Sequence, residues 1–330
     1  MTTPPQPLAI RLLLDAQDAF LAAVDHVPAP GRGGPLGRLN APGWIVAHLA
    51  SAHDLWINVL VGGRERDPWA AAWNEAQGAA TLAQPLATPL AESRAAFAAI
   101  ADRAAEVAAS LDADALAREV STPRGVVTAG YLIARAPGHL FAHAGELAVI
   151  GALVTAPELD LPGPLARVAG EVSAAAEAEP NADLPPLAIR LLLDAQAEFA
   201  RVVEALPTPA AVGAVPRVRS GIATIASVAA HEDRAWSVTA QGRAAAAAEA
   251  DTFDAARAAY ARAVEAARPF LDGVRAADLP RPVGASTLGA LAARSAALLF
   301  ARAGELNAHA SLFGAPDLAL PGMLAHVAER

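Results

Sequence analysis

The undecapeptide PLAIRLLLDAQ occurs twice in this chain, at 7–17 and, letter for letter, at 186–196. A repeat of that length constrains the fold strongly, because whatever structure one copy takes the other must be able to take as well. The 179-residue offset then carries without gaps through WIVAHLASAHDLWINVLVGGR (44–64) onto ATIASVAAHEDRAWSVTAQGR (223–243). Further on, RAAF (94–97) matches RAAY (257–260), and LFAHAGEL (140–147) matches LFARAGEL (299–306). APELDLPG (156–163) against APDLALPG (315–322) closes the series. The ordered matches predict a tandem duplication: domains at 1–163 and 185–330, with a linker containing a short helix at 164–184. At 330 residues the chain is long enough for two helical domains.

Each copy reads as four helices, so the expected class is all-α, two tandem four-helix bundles. The 54% hydrophobic content is rich in alanine, which favours helix over strand. In the first copy a helix over 6–26 carries Leu8, Leu12, Leu13, Ala16, Phe20 and Val24 at helical spacing, and the loop PAPGRGGPLG ends it. A second helix starts near Asn40, a good N-cap, tolerates Pro42 in its first turn and stops at Gly62–Gly63. The third spans about 89–110, opened by Thr88 and Pro89. The fourth spans about 128–155, with Pro137 expected to kink it just before His139. The second copy repeats these at about 185–205, 219–241, 251–271 and 286–313.

Composition removes several classes of function. Without cysteine there is neither a disulfide nor a thiolate metal site. Every basic residue is arginine, as a GC-rich genome favours, and the net charge of −9 argues against nucleic acid or an anionic membrane as partner. The N-terminus lacks a basic segment ahead of its apolar residues, and LAVIGALVTA (147–156) is half the length of a membrane span. The expectation is a soluble, cytoplasmic protein with a small-molecule substrate.

Each copy serves as a control for the other. Asp15/Asp194, Asp54/Asp233, Arg135/Arg294 and Glu146/Glu305 occur in both and read as capping, surface charge or interhelical pairing. Three histidines of the first copy are replaced in the second: His48 aligns with Ser227, His139 with Leu298 and His143 with Arg302. His139 and His143 are one turn apart on the same helix face, a spacing that lets two imidazoles converge on one ion. His48, central on the second helix, can add a third nitrogen. Three neutral imidazoles leave an open position for water or substrate, as catalytic sites do. Their joint absence from the second copy strengthens the reading, because ligands lose their purpose together. Packing histidines are the competing reading of the same three residues. His53 is five positions from His48, about 140° around the helix, and should not share its face. His26, His231, His309 and His326 read as structural or surface residues, and Arg302 could pair with an acid in the vacated position.

A helix of the form WIVAHLASAHDLW followed far downstream by HLFAHAGEL resembles the DinB/YfiT-like superfamily of four-helix metalloenzymes. GWIVAHLA (43–50) is also similar to the helix of mycothiol-dependent maleylpyruvate isomerase-like proteins. The resemblance covers the first copy fully and the second in scaffold only. It implies a divalent metal, commonly zinc or nickel, on His48, His139 and His143, and in some branches transfer of an external low-molecular-weight thiol. It also implies that the two bundles pair as a fused pseudo-dimer, since related bundles often dimerise.

The remaining asymmetry is the loop ERDPWAAAWNEAQGAATLAQPLAT (65–88), about sixteen residues longer than its counterpart. Trp69 and Trp73 lie in it, and Trp44 aligns with Ala223. The three tryptophans read either as a wall or lid of a substrate pocket or as packing for a loop helix. No general base stands out; Glu146 and His53 are the candidates, with Glu146 alternatively orienting a ligand histidine. The expected function is a metal-dependent hydrolase, thiol transferase or isomerase. The alternatives are a non-catalytic metal- or ligand-binding protein and a structural module.

Overall fold

The computed structural model describes residues 6–28, 36–79, 87–123, 125–154, 156–177, 183–208, 210, 213–245 and 250–328. Much of the PAPGRGGPLG loop, part of the long loop (80–86) and 178–182 of the linker lie outside these residues.

The first half contains α1 (Leu8–His26), α2 (Pro42–His53), α3 (Pro68–Ala79), α4 (Leu90–Ala109), the short α5 (Ala113–Ala117) and α6 (Ala129–Leu153). The second contains α7 (Leu187–Ala205), α8 (Gly221–Glu232), α9 (Phe253–Asp272) and α10 (Leu288–Leu312). The predominantly helical class agrees with the alanine-rich composition. Paired elements agree in length: α1 and α7 have 19 residues, α4 and α9 have 20, α6 and α10 have 25. Both long helices are capped by a threonine hydroxyl, Thr128 accepting from Tyr131 N–H and Thr287 from Ala290 N–H. α6 runs continuously through Pro137.

Two features escape helical periodicity. Antiparallel hairpins precede α6 and α10: β1 (Glu119–Thr122) pairs with β2 (Gly125–Thr128), and β3 (Pro282–Val283) with β4 (Ser286–Thr287). α2 and α8 each continue into a π-helical turn, Asp54–Val61 and Asp233–Thr239. In the first half the widened turn surrounds the fully buried Asp54, whose carboxylate accepts from Asn58 Nδ2 at 3.1 Å and from Asp67 N–H at 2.9 Å. The combined stretch Pro42–Val61 is long and apolar enough to cross a membrane by length and composition, but 61% of its 18-residue window is buried inside the protein. Its apolar character is that of a core helix.

The segment after α6 forms turns in place of the expected short helix, and those turns brace α1. Asp15 accepts from the backbone N–H of Arg167 and Val168 at 3.1 and 2.9 Å, and Arg11 donates to the carbonyl oxygens of Val168 and Glu171. In the second half Asp194 accepts from His326 and Val327 N–H, while Arg190 donates to their carbonyls. The correspondence between the halves therefore extends past Gly163, through PLARVA (164–169) and MLAHVA (323–328).

Among the described residues, α6 and α10 form the most extensive helix contact. They cross where both carry AGEL. A Cβ on Gly145 would lie 2.1 Å from the Ala301 carbonyl oxygen, and one on Gly304 would lie 1.8 Å from that of Ala142. Since 142 and 145 correspond to 301 and 304, each helix presents the same surface to the other, as at a twofold interface.

Candidate metal centre

His48 comes from α2, and His139 and His143 from one face of α6. One ring nitrogen from each lies within 4.8 Å of the others, an arrangement that could hold a metal ion. The Nε2 atoms of His48 and His139 face each other at 3.1 Å. Nitrogens bound tetrahedrally at about 2.05 Å lie about 3.4 Å apart, so the His48–His139 pair is already near the separation that a shared ion requires. Burial, reinforced by repulsion from His143, lowers the pKa of His48 to about 3. Burial, with the neighbouring histidines and Arg135, holds that of His139 well below the ordinary 6.5. Both rings are thus neutral at physiological pH, the form in which imidazole donates a lone pair.

Glu146 orients the third ring. Its Oε2 accepts from His143 Nδ1 at 2.8 Å, leaving Nε2 of that ring to carry the lone pair, and its Oε1 accepts from Asn40 Nδ2 at 3.1 Å. Asn40 is therefore not the cap of α2, whose N-cap is Ala41 with no side-chain hydrogen bond. The amide is spent on the carboxylate that holds a histidine. With both oxygens engaged, Glu146 occupies the orienting role.

The cluster lines a cavity of about 810 Å³ with mostly apolar walls. Trp44 lines it and stacks on His48, ring planes 1° apart at 5.1 Å, with its indole N–H donating to Gln77. Trp69 and Trp73 do not line it; they secure α3 to the neighbouring chain, donating to Glu92 Oε1 and Thr88 Oγ1. Trp56 takes the wall position that sequence reasoning did not assign, 5.2 Å from the His139 ring and beneath the Arg135 guanidinium. A signal for it existed: 48, 52, 55 and 56 follow i, i+4, i+7, i+8 spacing, and Trp56 aligns with Ala235. His53 points into the core instead, 2% exposed, bonded to Gln17 Nε2 at 2.7 Å and against Phe97. It does not line the cavity.

The second half shows what replaces the cluster. Arg302, at the position of His143, donates to both oxygens of Glu305 at 2.5 and 2.6 Å, so an internal cation satisfies the carboxylate that corresponds to Glu146. A smaller cavity of about 340 Å³ remains there. The four other histidines make structural contacts: His26 with Pro157 O, His231 with Ser295 Oγ, His309 with Ala210 O, and His326 through its backbone with Asp194.

No curated protein and no solved structure matches the chain. A family model described as the DinB superfamily matches residues 11–147, the span from α1 through all three histidines of α2 and α6. The match covers about two fifths of the chain, and over that span the chain is similar to the DinB superfamily.

Proposed function

We propose that the protein is a divalent-metal-dependent enzyme whose single site is formed by His48, His139 and His143, with zinc or nickel as the ion. The convergence of three imidazoles on one wall of an 810 Å³ cavity, with Glu146 hydrogen-bonded to His143 Nδ1, carries this reading. An ion held there acts as a Lewis acid and lowers the pKa of a water or thiol brought to it, which suits hydrolysis, thiol transfer or isomerisation. The chain's own part is to hold neutral ligand nitrogens, to exclude bulk water with Trp44 and Trp56, and to accept the apolar body of a small substrate. Any thiol nucleophile has to come from an external low-molecular-weight compound, because the chain has no cysteine.

We read residues 1–163 and 185–330 as two bundles of one duplicated unit, paired as a fused pseudo-dimer. The reciprocal approach of Gly145 and Gly304 supports this. A second functional reading, non-catalytic binding of a metal or small ligand, is favoured by two observations: both Glu146 oxygens are already hydrogen-bonded, and His53 lies in the core.

Metal analysis of the purified protein tests the site. About one divalent ion per chain is expected, and loss of most of it in His143→Ala. Substoichiometric metal in the wild type, unchanged in that variant, refutes the site. Turnover of ester or thiol-acceptor substrates by the metal-loaded protein, absent in His143→Ala, separates enzyme from binder.

A further inference from the structure

The histidine cavity is not built by the first half alone. Gly304 and Asn307 of α10 and the segment Asp317–Met323 beyond it form one side of it. The exchange is reciprocal, since Glu158 and Leu159, the counterparts of Asp317 and Leu318, line the smaller cavity of the second half. Each half's terminal segment walls the other's cavity.

The segment is held in place before any ligand arrives. Asn307 accepts from Leu318 N–H at 3.0 Å and donates to Asp317, Glu198 accepts from Gly322 N–H at 2.7 Å, and Arg201 donates to Ala319 O. From across the cavity Arg135 donates to the carbonyl oxygens of Pro321, at 2.8 Å, and Gly322. Much of the polar backbone is thereby occupied, and what the segment offers the cavity is chiefly Leu318, Leu320 and Met323, which line it together with Trp44 and Trp56. Met323 is 83% exposed, an unusual position for a large apolar side chain. Arg135 is the one arginine among the described lining residues, and its guanidinium is engaged by the segment and by Trp56, while Glu146 and Asp317 add negative charge. Apart from the ion at the histidines, a polyanionic ligand meets no unengaged arginine among the described lining residues.

We propose that Asp317–Met323 is the specificity wall of the site: the second half, which lacks the histidines, recognises the apolar body of a neutral substrate, aryl or branched alkyl, whose single donor group faces the imidazoles. This rests on the metal reading above and adds the substrate class and the reason a half without the three cluster histidines is retained. A preorganised wall adds affinity because little ordering remains to be done on binding.

The test uses full-length protein loaded with cobalt(II), titrated with imidazole and with 4-phenylimidazole, which share a donor and differ by a phenyl group; the visible cobalt spectrum reports binding. 4-Phenylimidazole is expected to bind at least about tenfold more tightly than imidazole, as burial of much of a phenyl ring implies. Leu318→Ser/Leu320→Ser should reduce that ratio to about threefold or less, leaving cobalt stoichiometry and imidazole affinity unchanged. Met323→Ser, at a position too exposed to disturb folding, should lower the ratio partway, and Leu159→Ser, on the other cavity, should leave it alone. Cobalt bound normally with a ratio unchanged in the Leu318/Leu320 and Met323 variants overturns the wall and leaves the metal site standing. If cobalt fails to bind wild-type protein, the metal reading falls and the inference falls with it.

Discussion

Gly145→Ala isolates the contact on which the two halves meet. In an ordinary helix the change stabilises by up to about 1 kcal/mol, since alanine is the better helix former. Here the added Cβ would lie 2.1 Å from the Ala301 carbonyl oxygen and 2.9 Å from Glu305 N, both backbone atoms that cannot rotate away. Relief requires α6 and α10 to part by about 1 Å, and a gap of that size forfeits roughly a quarter to a half of the dispersion energy of each contact across it. The side chains affected include the buried Phe300, whose ring lies against Gly138 of α6. Overpacking of this kind costs about 1–3 kcal/mol, so after a propensity gain of about 1 kcal/mol Gly145→Ala should destabilise by up to about 2 kcal/mol. Gly304→Ala, with its Cβ 1.8 Å from Ala142 O, should cost at least as much. One separation relieves both clashes, so the double variant should cost less than the sum of the singles. Gly78→Ala is the control: its Cβ meets nothing within 4 Å, and the change should be neutral or slightly stabilising. Urea denaturation followed by circular dichroism measures all four. A Gly145→Ala midpoint that rises as that of Gly78→Ala does would refute the close crossing.

Glu146→Gln should weaken zinc affinity by about 10–100-fold without abolishing it, because it loosens the His143 ring and removes no ligand; calorimetric titration showing either no change or the complete loss expected of His143→Ala contradicts the orienting role. In the second half, burial pushes Glu232 from the ordinary 4.5 up to about 7, partly offset by Gln196 and Trp236. The native state keeps a proton that the unfolded chain gives up above pH 4.5, so this group's contribution is fully favourable below that value and is lost as pH rises through about 7, by about 3 kcal/mol in total. Glu232→Gln should remove that decline and be the more stable protein at pH 8; parallel stability profiles for variant and wild type between pH 4 and pH 8 would sink the assignment. Arg302→Ala leaves the largely buried Glu305 carboxylate, already raised by burial, without its bidentate partner and should cost about 3 kcal/mol in chemical denaturation. A loss under about 0.5 kcal/mol would mean that the pair behaves as a surface ion pair.

The helices were legible because their causes are local: apolar spacing, threonine caps and proline at the starts act within a turn or two of the residues that carry them. The histidine cluster is not local, yet it was legible because the second half shows the same helices with Ser227, Leu298 and Arg302 in its place. What stayed hidden depends on partners far along the chain. Asn40 has the composition of a helix cap, and only the approach of Glu146, 106 residues away, takes it for the site. PLARVA (164–169) looks like linker because its order comes from Asp15 and Arg11, about 150 residues earlier. The π turn that follows His53 leaves no mark in apolar periodicity, and four-residue strands such as Glu119–Thr122 are too short to interrupt an alanine-rich helical pattern. The AGEL frame makes the same point. Glycine is a poor helix residue, and within either helix alone its presence is a cost of about 1 kcal/mol. Only the neighbouring backbone accounts for it, Gly145 against Ala301 and Gly304 against Ala142. The glycines that both halves carry sit where α6 and α10 cross, whereas His48, His139 and His143, which align with Ser227, Leu298 and Arg302, line the cavity to which both halves contribute.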